Sequence, residues 1–296
     1  MLPLWVGAAR TGRPYAARKG RPHAAFQNQL VARPSRRRRS FRDRIPPHGI
    51  HLSSFGTDNS SSSESSLDTF SEEWVTVLGY GSLLSETSSR LTCPELTKFR
   101  LGRVSGFRRV FAQPASTFFK YGIALKDTLE FACVSAEYCT DGAGFVVSVF
   151  DIPAKKMLDG VPQRLLEREA SYEVIEVDFQ DFSKDQGVLS KGLLSVRSTD
   201  EVYIERWGQD RFNEQFLKYG IETLWGWSET SGIRPCPVYL RHCYLAAKSM
   251  GELCLNSFLD ECCLIDRTTT IRQYLDEYPE VLLMEAPPEL GLRYNG

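Results

Sequence analysis

Short strand-like runs dominate the chain from Trp74 onward and limit what it can fold into. They are rich in Val, Ile, Phe and Tyr, the residues that fit a pleated and half-buried surface. Their spacing is irregular, and strands do not alternate regularly with helices, which argues against a doubly wound parallel sheet. The pattern predicts a β-rich barrel or half-barrel with helices packed around it. The runs are Trp74–Leu78, Val104–Phe111, Phe131–Tyr138, Gly144–Ile152, Tyr172–Phe179, Gly192–Arg197 and Glu201–Glu205.

Helices are predicted in two places. Two short pieces lie between Ile152 and Tyr172, the first ending at Gly160 and the second beginning at Pro162, since Gly ends helices and Pro begins them. From about residue 236 the chain becomes mainly helical. "PVYLRHCYLAAKSMG", "NSFLDECCL" and "TTTIRQYLDEY" each carry helix start or stop residues. The sequence therefore predicts a helical C-terminal extension.

The N-terminal residues differ from the rest in charge. Residues 1–56 hold 12 Lys and Arg and one acid, which leaves 24 basic and 36 acidic residues for 57–296. An Arg-rich, acid-poor start is typical of an organelle transit peptide, for plastid or mitochondrion. The alternatives are a basic nucleic-acid or nuclear-import arm, centred on the four arginines 36–39, and a disordered tail on a cytoplasmic protein. Residues 57–71, rich in Ser and acids, are predicted to be a linker, and residues 72–296 the folded domain.

The stretch "VTVLGYGSLLSE" places two glycines directly after the first strand. Gly79-x-Gly81 begins like a dinucleotide fingerprint, but position 84 is Leu where a third glycine would stand. No Gly-Lys-Ser/Thr follows, so the stretch is not a phosphate-binding P-loop. Ser82 is not the central residue of a Gly-x-Ser-x-Gly nucleophile elbow. If the turn binds a ligand, the sequence therefore favours neither a phosphate nor an acyl group attacked by Ser82.

Histidines are too few for a Ser-His enzyme. The chain has four, of which three lie before residue 52, and only His242 falls in the predicted domain. A serine nucleophile usually needs a His base, whereas His242 is predicted to have a packing or surface role. The eight cysteines form no Cys-x-x-Cys pair, so no metal site is predicted and the thiols are expected to be reduced and buried. A carboxylate is then the better candidate for a base.

Glu169 is the carboxylate that the helical phase favours. On a helix over Pro162–Ala170, with Leu165 at 0°, Glu169 falls at about 40° among the apolar positions. Glu167 falls at about 200°, on the solvated face. Burial raises the pKa of a carboxyl and makes it a better base near neutral pH. The alternative is a structural ion pair between Glu169 and an arginine such as Arg108 or Arg109.

Two motifs in this order and spacing carry a resemblance to a known family. "LGYGSLL" (Leu78–Leu84) follows a strand, and "EREASY" (Glu167–Tyr172) comes about 85 residues later. Together with "RVSGFRRVF" (Arg103–Phe111), they resemble the γ-glutamylcyclotransferase-like superfamily. The resemblance covers about Trp74–Phe179. It implies an α+β fold, a small mixed β-barrel with flanking helices, to which this chain adds its helical C-terminal part.

The resemblance also implies an activity and its residues. Glu169 would be the general base, and Tyr80, Gly81, Ser82, Leu83 and Tyr172 would bind the substrate. The reaction would cyclise a γ-glutamyl group, from glutathione or a γ-glutamyl amino acid, to 5-oxoproline and release the amine, without cofactor or metal. The alternative is a non-catalytic γ-glutamyl-binding or interaction module on the same fold. Nucleic acid is not expected as a partner because the predicted domain is acidic. A membrane span is not expected because no apolar run approaches about 20 residues.

Overall fold

The computed structural model describes residues 73–158 and 160–295. The predicted transit-like segment and the linker lie outside these residues. The strands are β1 (Trp74–Gly79), β2 (Thr97–Ser105), β3 (Phe107–Pro114), β4 (Glu130–Tyr138), β5 (Gly144–Pro153), β6 (Met157–Leu158), β7 (Val161–Pro162), β8 (Glu173–Asp181), β9 (Leu189–Val196), β10 (Arg234–Pro235) and β11 (Cys262–Cys263). The α-helices are α1 (Glu86–Arg90), α2 (Ser116–Lys120), α3 (Gln163–Arg168), α4 (Asp200–Trp207), α5 (Gln209–Gln215), α6 (Pro237–Ser249), α7 (Glu252–Asp260), α8 (Ile271–Glu277) and α9 (Gly291–Tyr294).

Five of the strands close into a barrel. Strand β1 pairs antiparallel with β5, β5 with β2, β2 with β8 and β8 with β9. The ring closes where β9 runs parallel to β1, with Val77 opposite Leu193 and Leu78 opposite Leu194. Closure removes the unpaired strand edges of an open sheet. The predicted α+β fold with a small mixed β-barrel is thereby confirmed.

The sheet is extended from β9 outward by β4, β3, β10 and β11, while β6 and β7 form a separate two-stranded sheet. Strand β4 runs parallel to β9 through Ala136 and Val196, and β3 pairs antiparallel with β4. The short strands β10 and β11 add parallel pairings to β4 and β3. Between β2 and β3 the chain turns at Gly106, which has a φ of +80°. The run Val104–Phe111, predicted as one strand, is therefore the end of one strand and most of the next.

Strand β5 lies at the centre of the packing. All ten of its residues are buried, because α7, the turn after β1 and the apolar residues of α3 pack against it. The Ser257 hydroxyl of α7 accepts a hydrogen bond from the backbone N–H of Val146 at 2.8 Å. A strand buried on both faces is a continuous apolar run rather than an alternating one, as "GFVVSVFDIP" is.

The predicted helical C-terminal part is confirmed. Helix α6 begins at Pro237 and ends just before Gly251, whose φ is +98°. Helix α8 begins with a capping box in which Thr270 and Gln273 satisfy each other's backbone N–H groups. In the part of the chain that the structure covers, no helix has the length and apolar content to cross a membrane.

Two further local predictions were wrong. Residues Glu201–Glu205, predicted as a strand, lie in α4, where the Thr199 hydroxyl caps the backbone N–H of Val202 at 3.3 Å. The cap and the two acids of the first turn outweigh the β-branched residues that follow. The piece predicted as a helix before Gly160 instead contains the short strand β6, which pairs antiparallel with β7 on the other side of Gly160.

Candidate active site

The turn after β1 is a single turn of 3-10 helix, Ser82–Leu84. The backbone N–H of Leu84 donates to the carbonyl of Gly81 at 3.0 Å, and that of Ser85 to the carbonyl of Ser82 at 3.3 Å. The Leu83 carbonyl accepts from the hydroxyl of Ser148 at 2.7 Å. Within the described ranges, no backbone or side-chain acceptor is bound by the N–H groups of Ser82 and Leu83, which leaves these donors for a ligand.

Both glycines of the turn are required by close approach. A Cβ atom on Gly79 would lie 2.5 Å from the Cβ of Leu83 and from the Ser148 hydroxyl. A Cβ on Gly81 would lie 2.5 Å from the hydroxyl of Tyr239 on α6. Contacts this short do not occur without displacement of the neighbour, so the turn is tightly enclosed from both sides. The glycines hold the turn against β5 and α6.

Glu169 lies directly after α3, at the C-cap position. Its backbone N–H donates to the Leu165 carbonyl at 2.9 Å. Leu165 and Leu166 are buried in an apolar cluster that also contains Leu83, so the helix and the turn share one core. The Glu169 side chain is 13% exposed, whereas Glu167 is exposed and accepts a hydrogen bond from Gln163. The predicted division between the two carboxylates is confirmed.

Arg168 connects Glu169 to the turn. Its side chain is 5% exposed, and its Nε lies 3.4 Å from Glu169 Oε1. Its Nη2 donates to the hydroxyls of Ser82 at 3.0 Å and Ser88 at 3.1 Å, and its Nη1 to the hydroxyl of Thr92 at 2.7 Å. A guanidinium with this many acceptors is held in a fixed position. The side chains of the turn and of the candidate base therefore form one network.

The ion pair of Glu169 is with Arg168, not with the two arginines considered from the sequence. Arg108 pairs with Asp141 at the protein surface. Arg109 is fully buried beneath α7, with its guanidinium 4.8 Å from the centre of the Phe145 ring. Arg168, the last residue of α3, contacts Glu169, and both side chains line the same cavity.

Burial sets the protonation of Glu169. The loss of solvent raises the pKa of its carboxyl above the usual value, against the opposing charges of Arg168 and Arg293 and a hydrogen bond from Ser195. Burial disfavours the charged form, and the two arginines favour it. Because burial outweighs the arginines, the carboxylate accepts a proton more readily than an exposed Glu would. This is the property expected of a general base.

Two tyrosines of the site are held by their hydroxyls. Tyr80 donates to the Ser195 carbonyl at 2.6 Å, and Tyr172 donates to the Val134 carbonyl at 2.7 Å. Burial raises the pKa of both phenols well above the usual value, so both remain neutral. Cys133 lies 3.3 Å from the Tyr172 hydroxyl, and burial raises the pKa of its thiol to about 12. These side chains form walls of fixed shape.

Two adjoining cavities meet at Glu169. The inner one has a volume of about 30 Å³ and the outer one about 600 Å³. The inner cavity is lined by all the substrate-binding candidates, Tyr80, Gly81, Ser82, Leu83 and Tyr172, together with Glu169, Leu78, Val134, Ser195 and Tyr239. Ser82, Glu169, Tyr172 and Tyr239 line both cavities. The structure thus brings every candidate residue from the sequence into one place.

Several residues of the outer cavity were missed from the sequence. Arg168 stands next to Glu169 and could have been found as a charged neighbour in a buried helix end. Tyr239, Arg211 and Arg293 come from α6, α5 and α9. These three residues are far from the two motifs in sequence and belong to no local pattern. The sequence therefore gave no indication that they line the cavity.

His242 has the packing role that the sequence predicted. It is fully buried, and burial lowers its pKa to about 4, so the imidazole is neutral near pH 7. Its Nε2 lies 3.5 Å from the carbonyl of Ser82. All eight cysteines are free thiols. No group of three or more His, Cys, Asp or Glu side chains suited to a metal ion occurs among the residues the structure describes.

The fold and the site define a closed mixed β-barrel protein with a cleft built around a buried carboxylate and a glycine turn. No protein-family model and no curated protein sequence matches the chain. Similar solved structures include a γ-glutamyl cyclotransferase at 15% identity and a TM-score of 0.38, which covers 60% of this chain and 81% of that one.

Two further solved structures are similar. A glutathione-specific γ-glutamyl cyclotransferase from yeast is 16% identical with a TM-score of 0.39, over 71% of this chain and 96% of its own. An uncharacterized protein from Homo sapiens has the same identity and TM-score, over 61% and 82%. The fold class rests on the closure of the barrel between β9 and β1.

Proposed function

We propose that the protein is a γ-glutamylcyclotransferase-type lyase that converts a γ-glutamyl group to 5-oxoproline and releases the amine. The observation that carries the proposal is the position of the Glu169 carboxylate. It shares the inner cavity with the Tyr80–Leu83 turn, and Arg168 ties the two together. A base of raised pKa beside free backbone donors suits acyl transfer.

In the proposed reaction the substrate supplies its own nucleophile. The α-amine of the γ-glutamyl group attacks the γ-carbonyl, a C–N bond forms in a five-membered ring, and the amide C–N bond breaks. Glu169 takes a proton from the attacking amine and returns it to the departing nitrogen. Holding the α-amine and the γ-carbonyl of one substrate molecule in the reactive orientation can lower the activation barrier by about 7–11 kcal/mol. A positioned base contributes about 10²- to 10⁴-fold in rate.

The turn has the donors for the developing negative charge. The backbone N–H groups of Ser82 and Leu83 would bind the oxyanion or the α-carboxylate. The inner cavity of about 30 Å³ is large enough to hold a water molecule. It admits one small group of the substrate, such as the carbonyl oxygen, while the rest of the molecule lies in the outer cavity.

The test is product analysis on a γ-glutamyl panel with the variants Glu169→Gln and Glu167→Gln. Wild type and Glu167→Gln are expected to form 5-oxoproline from glutathione or γ-glutamyl-alanine, and Glu169→Gln is not. Equal activity in Glu169→Gln would remove the mechanism. Wild-type protein that binds a γ-glutamyl compound without converting it would favour the alternative, a non-catalytic binding module.

Residues 1–56 are proposed to direct the protein to a plastid or mitochondrion. The support is their composition, with 12 basic residues and one acid. Residues 1–71 fused to a fluorescent protein are expected to accumulate in an organelle. Nuclear accumulation would favour the basic-arm alternative, and even cytoplasmic fluorescence would favour a tail without a targeting role.

A further inference from the structure

The outer cavity carries an excess of positive charge. Four arginines and two glutamates line it, namely Arg164, Arg168, Arg211, Arg293, Glu167 and Glu169. The other titratable side chains in its wall are neutral near pH 7, since burial raises the pKa of Cys133 and of Tyr294 to about 12. A cavity with this charge attracts an anionic ligand.

Arg168 is not available to such a ligand, because its guanidinium already binds Ser82, Ser88 and Thr92. Arg293 is different. Its Nε is buried, and among the described residues no acceptor binds it. A buried donor without an acceptor costs free energy unless a ligand supplies one.

Helix α9 is anchored in the site, although it is only four residues long. Tyr294 is buried, and its ring lies 5.9 Å from that of Tyr239 and 6.2 Å from that of Phe118. Tyr239 is the residue whose hydroxyl faces Gly81 of the turn. The position of Arg293 is thus set by the same aromatic group that encloses the turn.

Arg211 reaches the cavity from a different element. Its guanidinium carbon lies 4.2 Å from the centre of the Trp207 ring, and stacking of this kind orders an arginine before a ligand arrives. Its neighbour Gln215 on α5 also lines the cavity.

We propose that Arg293, assisted by Arg211, binds the carboxylate on the amine portion of the substrate, so that the enzyme selects γ-glutamyl amino acids and peptides over γ-glutamyl amines. The proposal rests on the proposed function. The γ-glutamyl head group is held between Glu169 and the turn, and the amine portion extends into the outer cavity. A carboxylate there meets two guanidinium groups, which are well suited to bind it.

The test uses two substrates that differ by one carboxylate, γ-glutamyl-alanine and γ-glutamyl-ethylamide. In Arg293→Gln, KM for γ-glutamyl-alanine is expected to rise about tenfold to a hundredfold, as for loss of a hydrogen bond to a charged group. Its kcat, and both constants for γ-glutamyl-ethylamide, are expected to change by less than about twofold. Arg211→Gln is expected to act in the same direction. The matched control is Arg272→Gln, an exposed arginine paired with Asp260.

Arg293 also lowers the pKa of Glu169, so the assays are run on the high-pH plateau of the activity profile. Equal losses on both substrates would overturn the proposal and indicate a structural role. If Arg293→Gln does not fold, the test is made on wild type by comparing kcat/KM for the two substrates. Equal values of kcat/KM for γ-glutamyl-alanine and γ-glutamyl-ethylamide would overturn the proposal.

Failure of the proposed function gives a separate result. If wild type makes no 5-oxoproline, calorimetric binding of the same two compounds replaces the assay. Binding of γ-glutamyl-alanine that is lost in Arg293→Gln would support the carboxylate subsite alone. Binding of neither compound, or equal binding of both, would overturn it.

Discussion

Arg168 donates a hydrogen bond from Nη2 to the Ser82 hydroxyl at 3.0 Å, although 86 residues separate the two along the chain. The same guanidinium holds Glu169 through its Nε. The candidate base and the candidate binding turn are thus fixed relative to each other by one buried side chain.

Replacement of Arg168 tests this connection. Arg168→Gln is expected to lower the free energy of unfolding by about 3–5 kcal/mol, as when one partner of a buried ion pair is removed. It should also lower kcat/KM, because Ser82 and Glu169 lose their common partner. Urea unfolding and the 5-oxoproline assay measure the two effects. The control Lys191→Gln removes an exposed pair with Glu176 and should change neither.

The pH profile reports the state of Glu169. The acid limb of kcat/KM is expected above the usual Glu pKa, because burial raises the pKa of this carboxyl. The positive charge of Arg168 lowers the pKa of Glu169. Its removal should therefore move the acid limb to higher pH. An acid limb at or below pH 4.5 in wild type would contradict the assignment of Glu169 as a buried base.

The free energy of unfolding should also depend on the protonation of Glu169. A Glu with a raised folded-state pKa contributes stability below its unfolded pKa, and this contribution is lost as pH rises through the folded pKa. Relative to Glu169→Gln, wild type is therefore expected to lose stability as pH rises from about 4.5. Unfolding midpoints of both proteins across pH 4 to 8 test this. The opposite slope would mean that the arginines outweigh burial.

Gly81 is expected to tolerate no side chain while Tyr239 keeps its hydroxyl. In Gly81→Ala the new Cβ would lie 2.5 Å from that hydroxyl and 2.6 Å from Cγ1 of Val134, and overpacking of this kind costs about 1–3 kcal/mol. Activity should fall further, since the turn must move. Tyr239→Phe removes the oxygen and should recover part of the loss in the double variant. If the effects of Gly81→Ala and Tyr239→Phe on stability simply add in the double variant, the contact with the Tyr239 hydroxyl is not what excludes a side chain at residue 81.

Ser257 is expected to matter for stability and not for substrate binding. Its hydroxyl accepts from Arg109 at 3.0 Å and from the Val146 N–H at 2.8 Å, and donates to Glu261 at 2.5 Å. Ser257→Ala leaves a buried guanidinium without this acceptor and should cost about 3 kcal/mol. The double variant with Arg109→Met should be more stable than Ser257→Ala alone. A changed KM in a folded Ser257→Ala protein would contradict the prediction that Ser257 does not affect substrate binding.

Much of the fold could be predicted because strands and caps leave local patterns. Strand β5 and the helices α6 and α8 were predicted close to their observed bounds. Residues 201–205 were not, since their β-branched residues match a strand while the cap at Thr199 begins a helix. Barrel closure between β9 and β1 could not be predicted from residues alone, because a parallel pairing over more than 110 residues has no local signature.

The sequence by itself determined which residue types were available to the candidate site. It placed two glycines after a strand, left one histidine in the domain, and put Glu169 on the apolar phase of a short helix. The tertiary structure decided what surrounds that carboxylate: Arg168 as its partner, Tyr239 against Gly81, and Arg211 and Arg293 in the outer cavity. Residue type and helical phase are local properties, whereas the burial that raises the pKa of Glu169, and the Arg293 charge that opposes it, arise only when the chain folds.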